Sequence, residues 1–198
     1  MLAFGCSIVA GEEIETDLTI PKLFAEHIKE PLENYSKAGS SNEEILFTAY
    51  ENIKLGHTIL VGITDISRVY WPHADTNNMQ SQSINNQREP KFPLQGLKKT
   101  LDHYVKFCYN EHTLEHYYYK RFKHLEQYCQ QLGNNIYFFT SIAPTDSQLT
   151  QFHGNNWYTK TSLVNYCDDN NLGRMPKDHP TSKAHQEYFK EMVKEYKL

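Results

Sequence analysis

The chain has 198 residues, which suits one α/β domain at roughly 100 to 200 residues per domain and argues against separate cofactor and substrate domains. Its 39% hydrophobic content is enough for a core that buries about 70% of the surface of the unfolded chain without staples. Lys and Arg total 20 against 24 Asp and Glu, a net charge of −4, so the chain lacks the basic footprint of a nucleic-acid binder.

The apolar run Leu2-Ala3-Phe4-Gly5-Cys6 ends in Ser7 with Gly11 close behind, and predicts a buried strand breaking into a turn. Pro21 opens a helix with Leu23, Phe24 and Ile28 on one face, and Leu32 to Tyr35 predicts a second strand. Ser40-Ser41-Asn42-Glu43-Glu44 supplies N-cap candidates and early acids ahead of Ile45, Leu46, Ala49 and Ile53, the clearest helix start in the chain. The β-branched run His57 to Ile63 predicts a third strand. Strand and helix alternate, as in βαβ units. The expected architecture is therefore a three-layer α/β/α sandwich with a mainly parallel, flavodoxin-like sheet, a single domain over 1–198.

From Tyr70 to Gly96 the sequence is rich in Asn, Gln, Ser and Pro and predicts a long polar rim loop. Leu97 to Leu132 predicts one long helix or two joined ones, ended by Gly133-Asn134-Asn135. Ile136 to Thr140 is a fourth strand, Ser162 to Tyr166 a short helix, and Ser182 to Tyr196 a terminal amphipathic helix. Cys6, Cys108, Cys129 and Cys167 form no CxxC pair, so free thiols and a reducing compartment are expected. No basic residue precedes Lys22, and no run approaches the ~18 apolar residues of a membrane span. The expectation is a cytoplasmic protein with no membrane partner and no nucleic-acid partner.

In open parallel sheets the ligand crevice lies outside the carboxyl ends of the strands, which directs attention to the residues just after each one. Ser7 follows the first strand, where a nucleophilic hydroxyl would be reachable; the ordinary reading is a turn-capping serine. Gly39 and Asn42 follow the second at a helix start that favours a developing oxyanion, though nearly every βα connection needs such residues. Thr64, Asp65 and Arg68 follow the third. Thr64 is a candidate oxyanion donor, and Arg68 and Asp65 are candidate substrate-binding residues, with a plain salt bridge between Arg68 and Asp65 or another surface acid as the ordinary reading. Near the end of the chain Asp178-His179-Pro180 precedes the last helix. His179, on a proline-held loop, is the best candidate general base, and His185 reads as structural.

Taken together, GCSIVAG, AGSSN, VGITD and DHPTSKAH, in that order from Phe4 to His185, resemble the four blocks of the SGNH hydrolases, the GDSL-type esterases and lipases, and in particular their small phage- and virus-encoded members. The resemblance implies a serine esterase without metal or other cofactor, acting on a small acyl ester such as an O-acetylated carbohydrate, in a host-cell cytoplasm if virus-encoded. It makes Ser7 the nucleophile and one oxyanion donor, Gly39 the second donor, and His179 the base. The usual GDS is GCS here, and Thr64 stands where the family places an asparagine donor, which leaves Thr64 and Asn42 as the candidate substitutes. Pro176 stands where the family places the acid, which leaves Asp178 as the candidate third member. These departures also fit a second reading, a catalytically degenerate carbohydrate-binding or interaction module.

Other chemistries are weaker. His112 and His116 lie four apart on a predicted helix, but HTLEH lacks the glutamate placement of HExxH hydrolases. The stretch Tyr117 to Lys123 reads as a core stripe with a solvated face rather than a stacking platform. Phe152, His153 and Trp157, within Thr145 to Lys160, are expected beside the acyl and alcohol sides of the pocket.

Overall fold

The computed structural model describes residues 1–73, 78–83, 110–143 and 152–198. In chain order its strands are β1 (Leu2–Phe4), β2 (Glu33–Asn34), β3 (Thr58–Ile63), β4 (Arg68–His73), β5 (Asn78–Ser83), β6 (Asn135–Thr140) and β7 (Trp157–Tyr158). Five of them form an all-parallel central sheet in the order β2-β1-β3-β6-β7. This is the flavodoxin-like order. Each long strand alternates its apolar residues between two cores. Leu2 and Phe4, Ile59 and Val61, and Ile136 and Phe138 point to one; Ala3, Leu60 and Phe139 point to the other. A strand buried on both faces reads as an unbroken apolar run, hence the clarity of Leu2–Phe4 and Thr58–Ile63 in the sequence.

A one-turn helix, α1 (Ser7–Ala10), follows β1 directly. One core is closed by α2 (Ile20–Ile28), α5 (Leu163–Asp169) and α6 (Ser182–Tyr196), the other by α3 (Asn42–Asn52) and α4 (Glu111–Gln131). Hydroxyl or amide side chains cap all five of these. Thr19, Ser41, Asn110, Ser162 and Thr181 accept from the backbone N–H groups of Lys22, Glu44, Thr113, Asn165 and Ala184, each cap contributing about 1 kcal/mol.

Two expectations change. The polar stretch after Tyr70 is not wholly loop: β4 and β5 pair antiparallel as a separate two-stranded sheet. The remainder of that stretch, and the part of the expected helix over residues 97–109, lie outside the described residues. Phe152 and Trp157 are core residues, 1% and 4% exposed, packed with Phe122 and Phe138; only His153 is exposed, stacked on Tyr119. Phe152 and Trp157 therefore do not line an open pocket. Cys6, Cys129 and Cys167 are free thiols, and Cys108 lies outside the described residues. No described helix is long and apolar enough to cross a membrane.

His185 is structural, as expected. It is buried on α6, and its Nδ1 accepts the Ile20 N–H at the start of α2 (3.4 Å). Burial, with a smaller contribution from His179, lowers its pKa from 6.5 to about 3. Between those values the unfolded chain binds a proton that the folded chain refuses, so stability falls as pH drops through this window, by up to about 1.4 kcal/mol per unit. Urea melts between pH 7 and pH 4 are expected to show that slope, and His185→Gln, which keeps an acceptor without titrating, is expected to flatten it. An unchanged slope in the variant would assign the acid sensitivity to other groups.

Candidate active site

At the carboxyl end of β1, Gly5 and Cys6 lead into α1, and Ser7 is its first residue. The corner is built around Val9. A Cβ on Gly5 would lie 2.3 Å from Val9 Cγ2, and so would a Cβ on Gly62 at the end of β3. The valine fills the space left by both missing side chains and seats α1 on the ends of two neighbouring strands. Asn34 of β2 adds a hydrogen bond from its Nδ2 to the Val9 carbonyl (3.2 Å). Ser7 is thereby fixed at the sheet's rim, and it is 6% exposed.

His179 arrives from the other end of the chain on the loop between α5 and α6. Its Nε2 lies 3.1 Å from Ser7 Oγ, within proton-transfer reach. Arg174 holds the loop. Its Nε and Nη2 donate to the two carboxylate oxygens of Asp168 (2.9 and 2.6 Å), Nη1 donates to the Asp178 carbonyl (2.9 Å), and Nη2 also donates to the Val164 carbonyl (3.3 Å). Hydrogen bonding to the guanidinium holds the Asp168 carboxyl below its usual range. The Met175 N–H closes the turn onto the His179 carbonyl (2.8 Å).

The carboxylate facing the imidazole is Glu13. Its Oε2 lies 2.9 Å from His179 Nδ1, and the Lys177 N–H donates to both Glu13 oxygens (3.0 and 3.1 Å). A carboxylate only accepts, so Nδ1 carries the hydrogen, and in the neutral ring it is Nε2 that presents a lone pair to the Ser7 hydroxyl. Glu13 also has a left-handed backbone, φ 69°, a conformation costing a non-glycine residue about 1–2 kcal/mol. Such strain persists where surrounding contacts impose it, and here the ties to His179 and Lys177 do so.

Asp178, the acid expected from the sequence, does not take this position. It is exposed, with φ 70°, and its backbone is the part that is engaged: its N–H donates to the Met175 carbonyl and its own carbonyl accepts from Arg174. The tight turn that holds the histidine commits its neighbour's main chain and leaves the Asp178 side chain to solvent. Sequence reasoning misses Glu13 because it seeks the acid near the histidine rather than near the serine. The available signal is an acidic pair, Glu12-Glu13, immediately after the turn at Gly11.

The other expected residues gather at the carboxyl ends of β2 and β3. Gly39 is exposed, with φ 78° and open space where a Cβ would stand. The Lys37 N–H donates to the Gly5 carbonyl (3.1 Å), holding this loop beside the serine corner. Asn42 is fully buried and clamps Thr64: its Nδ2 donates to the Thr64 carbonyl and its Oδ1 accepts the Thr64 N–H, both at 2.9 Å. Asp65 accepts from the N–H and the hydroxyl of Ser67 (2.7 and 2.8 Å), and Arg68 Nη1 donates to the Ser40 carbonyl (3.2 Å). The two thus brace the loops after β2 and β3. His112 is exposed, 3.8 Å from Glu115, and no group of three or more His, Cys, Asp or Glu that could hold a metal ion occurs among the described residues.

No known protein family matches the chain, and no curated protein matches it in sequence. Among solved structures it is similar to the psychrotrophic esterase EstA from Pseudoalteromonas sp., in a crystal structure inhibited by monoethylphosphonate. The two share 14% identity over 99% of this chain and 95% of that one, with a TM-score of 0.53. At that identity the likeness is one of fold, and it extends over the full α/β architecture described above.

Proposed function

We propose that the protein is a serine esterase in which Ser7, His179 and Glu13 form the catalytic array. The observation that carries this reading is the hydrogen-bonded chain Ser7 Oγ, His179 Nε2, His179 Nδ1, Glu13 Oε2, with separations of 3.1 and 2.9 Å on either side of the ring. Residues from the two ends of the polypeptide make it, and its polarity is the one a nucleophilic serine requires. The fold likeness to an esterase supports the same reading.

In the first half-reaction Ser7 Oγ bonds to the acyl carbon while its proton passes to Nε2. The tetrahedral intermediate then expels the alcohol as its ester bond breaks, and the alcohol oxygen takes that proton. In the second half, water attacks the acyl-serine, its proton again passing through Nε2, and the free acid leaves with Ser7 restored. Glu13 orients the ring and offsets the positive charge it transiently carries. The Ser7 N–H, in the unbonded first turn of α1, and the Gly39 N–H are the assigned oxyanion donors. Asn42, whose amide oxygen and nitrogen both bond the Thr64 backbone, serves by fixing the chain just after β3. Small acyl esters, O-acetylated carbohydrates among them, are the assigned substrates.

The test is labelling by a serine-directed fluorophosphonate followed by intact-mass and peptide mapping. One adduct per chain, located on Ser7 and absent from urea-unfolded protein, is the expected result. If folded protein forms no adduct at neutral pH, the site is not a hydrolase, and the carbohydrate-binding reading takes its place.

A further inference from the structure

A second carboxylate stands at the imidazole, and the reaction outlined above gives it no role. Glu12 Oε2 lies 3.7 Å from His179 Nε2, the same nitrogen that faces Ser7, and its side chain is 38% exposed. Glu13, on the other ring nitrogen, is 12% exposed. The two neighbours therefore occupy different environments: Glu13 is enclosed and tied to the Lys177 amide, whereas Glu12 borders solvent at the reacting nitrogen.

Resting on the esterase reading, we propose that Glu12 is a specificity residue for the alcohol portion of the ester, favouring positively charged alcohols over neutral ones and rejecting anionic ones. Nε2 must approach the departing alcohol oxygen to within roughly 3 Å to protonate it. A carboxylate 3.7 Å from that nitrogen is then at most about 7 Å from the oxygen, by the triangle of distances. A cationic group two carbons beyond the oxygen lies at most about 11 Å from Glu12, and within about 4 Å of it when the arm turns toward the carboxylate. A phosphate or carboxylate at the same place meets like-charge repulsion. With the carboxylate partly solvated, attraction across that distance is worth about five- to tenfold in rate.

The experiment compares kcat/KM for acetylcholine and for 3,3-dimethylbutyl acetate, its uncharged isostere, in the wild type and in Glu12→Gln. Because the ratio is taken within each protein, any general loss of rate in the variant cancels. The wild type is expected to favour the cation by about five- to tenfold, and Glu12→Gln to bring the ratio close to one. Raising the ionic strength is expected to lower the wild-type ratio, which tests the charge without a substitution. A ratio that neither salt nor Glu12→Gln alters overturns the role of Glu12 and leaves the esterase standing. No turnover of either ester, together with no fluorophosphonate adduct on Ser7, overturns both.

Discussion

Ser7→Ala is expected to lower kcat on a small acetate ester by about 10⁶, His179→Ala by a similar factor, and the double variant by little more than either alone. This non-additivity follows from the geometry. Ser7 Oγ has its base 3.1 Å away, and without that base the hydroxyl is a poor nucleophile; without the hydroxyl, the base has nothing to deprotonate. Residual rate then comes from the oxyanion donors and substrate binding alone. Purified variants assayed against p-nitrophenyl acetate check this. Single losses of only a few-fold, or losses that multiply in the double variant, would show that the two residues do not act as a unit.

Glu13→Gln is expected to lower kcat by about 10⁴ with little change in KM, whereas Asp178→Asn leaves kcat within a few-fold of wild type. An amide can turn its NH₂ toward Nδ1, which then becomes the acceptor and forces the hydrogen onto Nε2, the nitrogen that must take the Ser7 proton. Ring position survives while ring chemistry fails, so the loss falls on turnover. Glu13→Asp, one methylene shorter, keeps the charge and is expected to recover part of the rate. If Asp178→Asn proved the damaging variant, the carboxylate assignment made from the 2.9 Å contact would be wrong.

The serine and the histidine are legible in the sequence because each sits where local pattern is strongest. Ser7 ends an unbroken apolar run, and His179 precedes a capped amphipathic helix. The layered sheet is legible for the same reason, since strands buried on both faces leave continuous stretches of Leu, Ile, Val and Phe. The carboxylate that meets His179 Nδ1 is not, because a hydrogen bond between positions 13 and 179 leaves no trace in spacing, and Asp178 is the nearer acid in sequence. β7 escapes notice since two residues, Trp157 and Tyr158, are too short to show alternation. The hairpin of β4 and β5 escapes because NMQSQS has the composition of a loop. Arg68, expected as a substrate anchor or an Asp65 partner, also reaches across to the Ser40 carbonyl, a contact between the loops after two strands that spacing does not reveal. Asn42 looks like a helix-cap neighbour, and its use as a clamp on Thr64 depends on a fold-level contact between two strand ends.

The packing at positions 5, 9 and 62 carries an evolutionary consequence. One isopropyl group occupies volume that would otherwise belong to three residues, so these sites are free to change only together: a methyl gained at either glycine demands a smaller neighbour at position 9. Descendants of this sequence should therefore keep the trio intact or exchange bulk among its members, and a lineage that enlarged one without shrinking another would be expected to lose its reactive corner before it lost its fold.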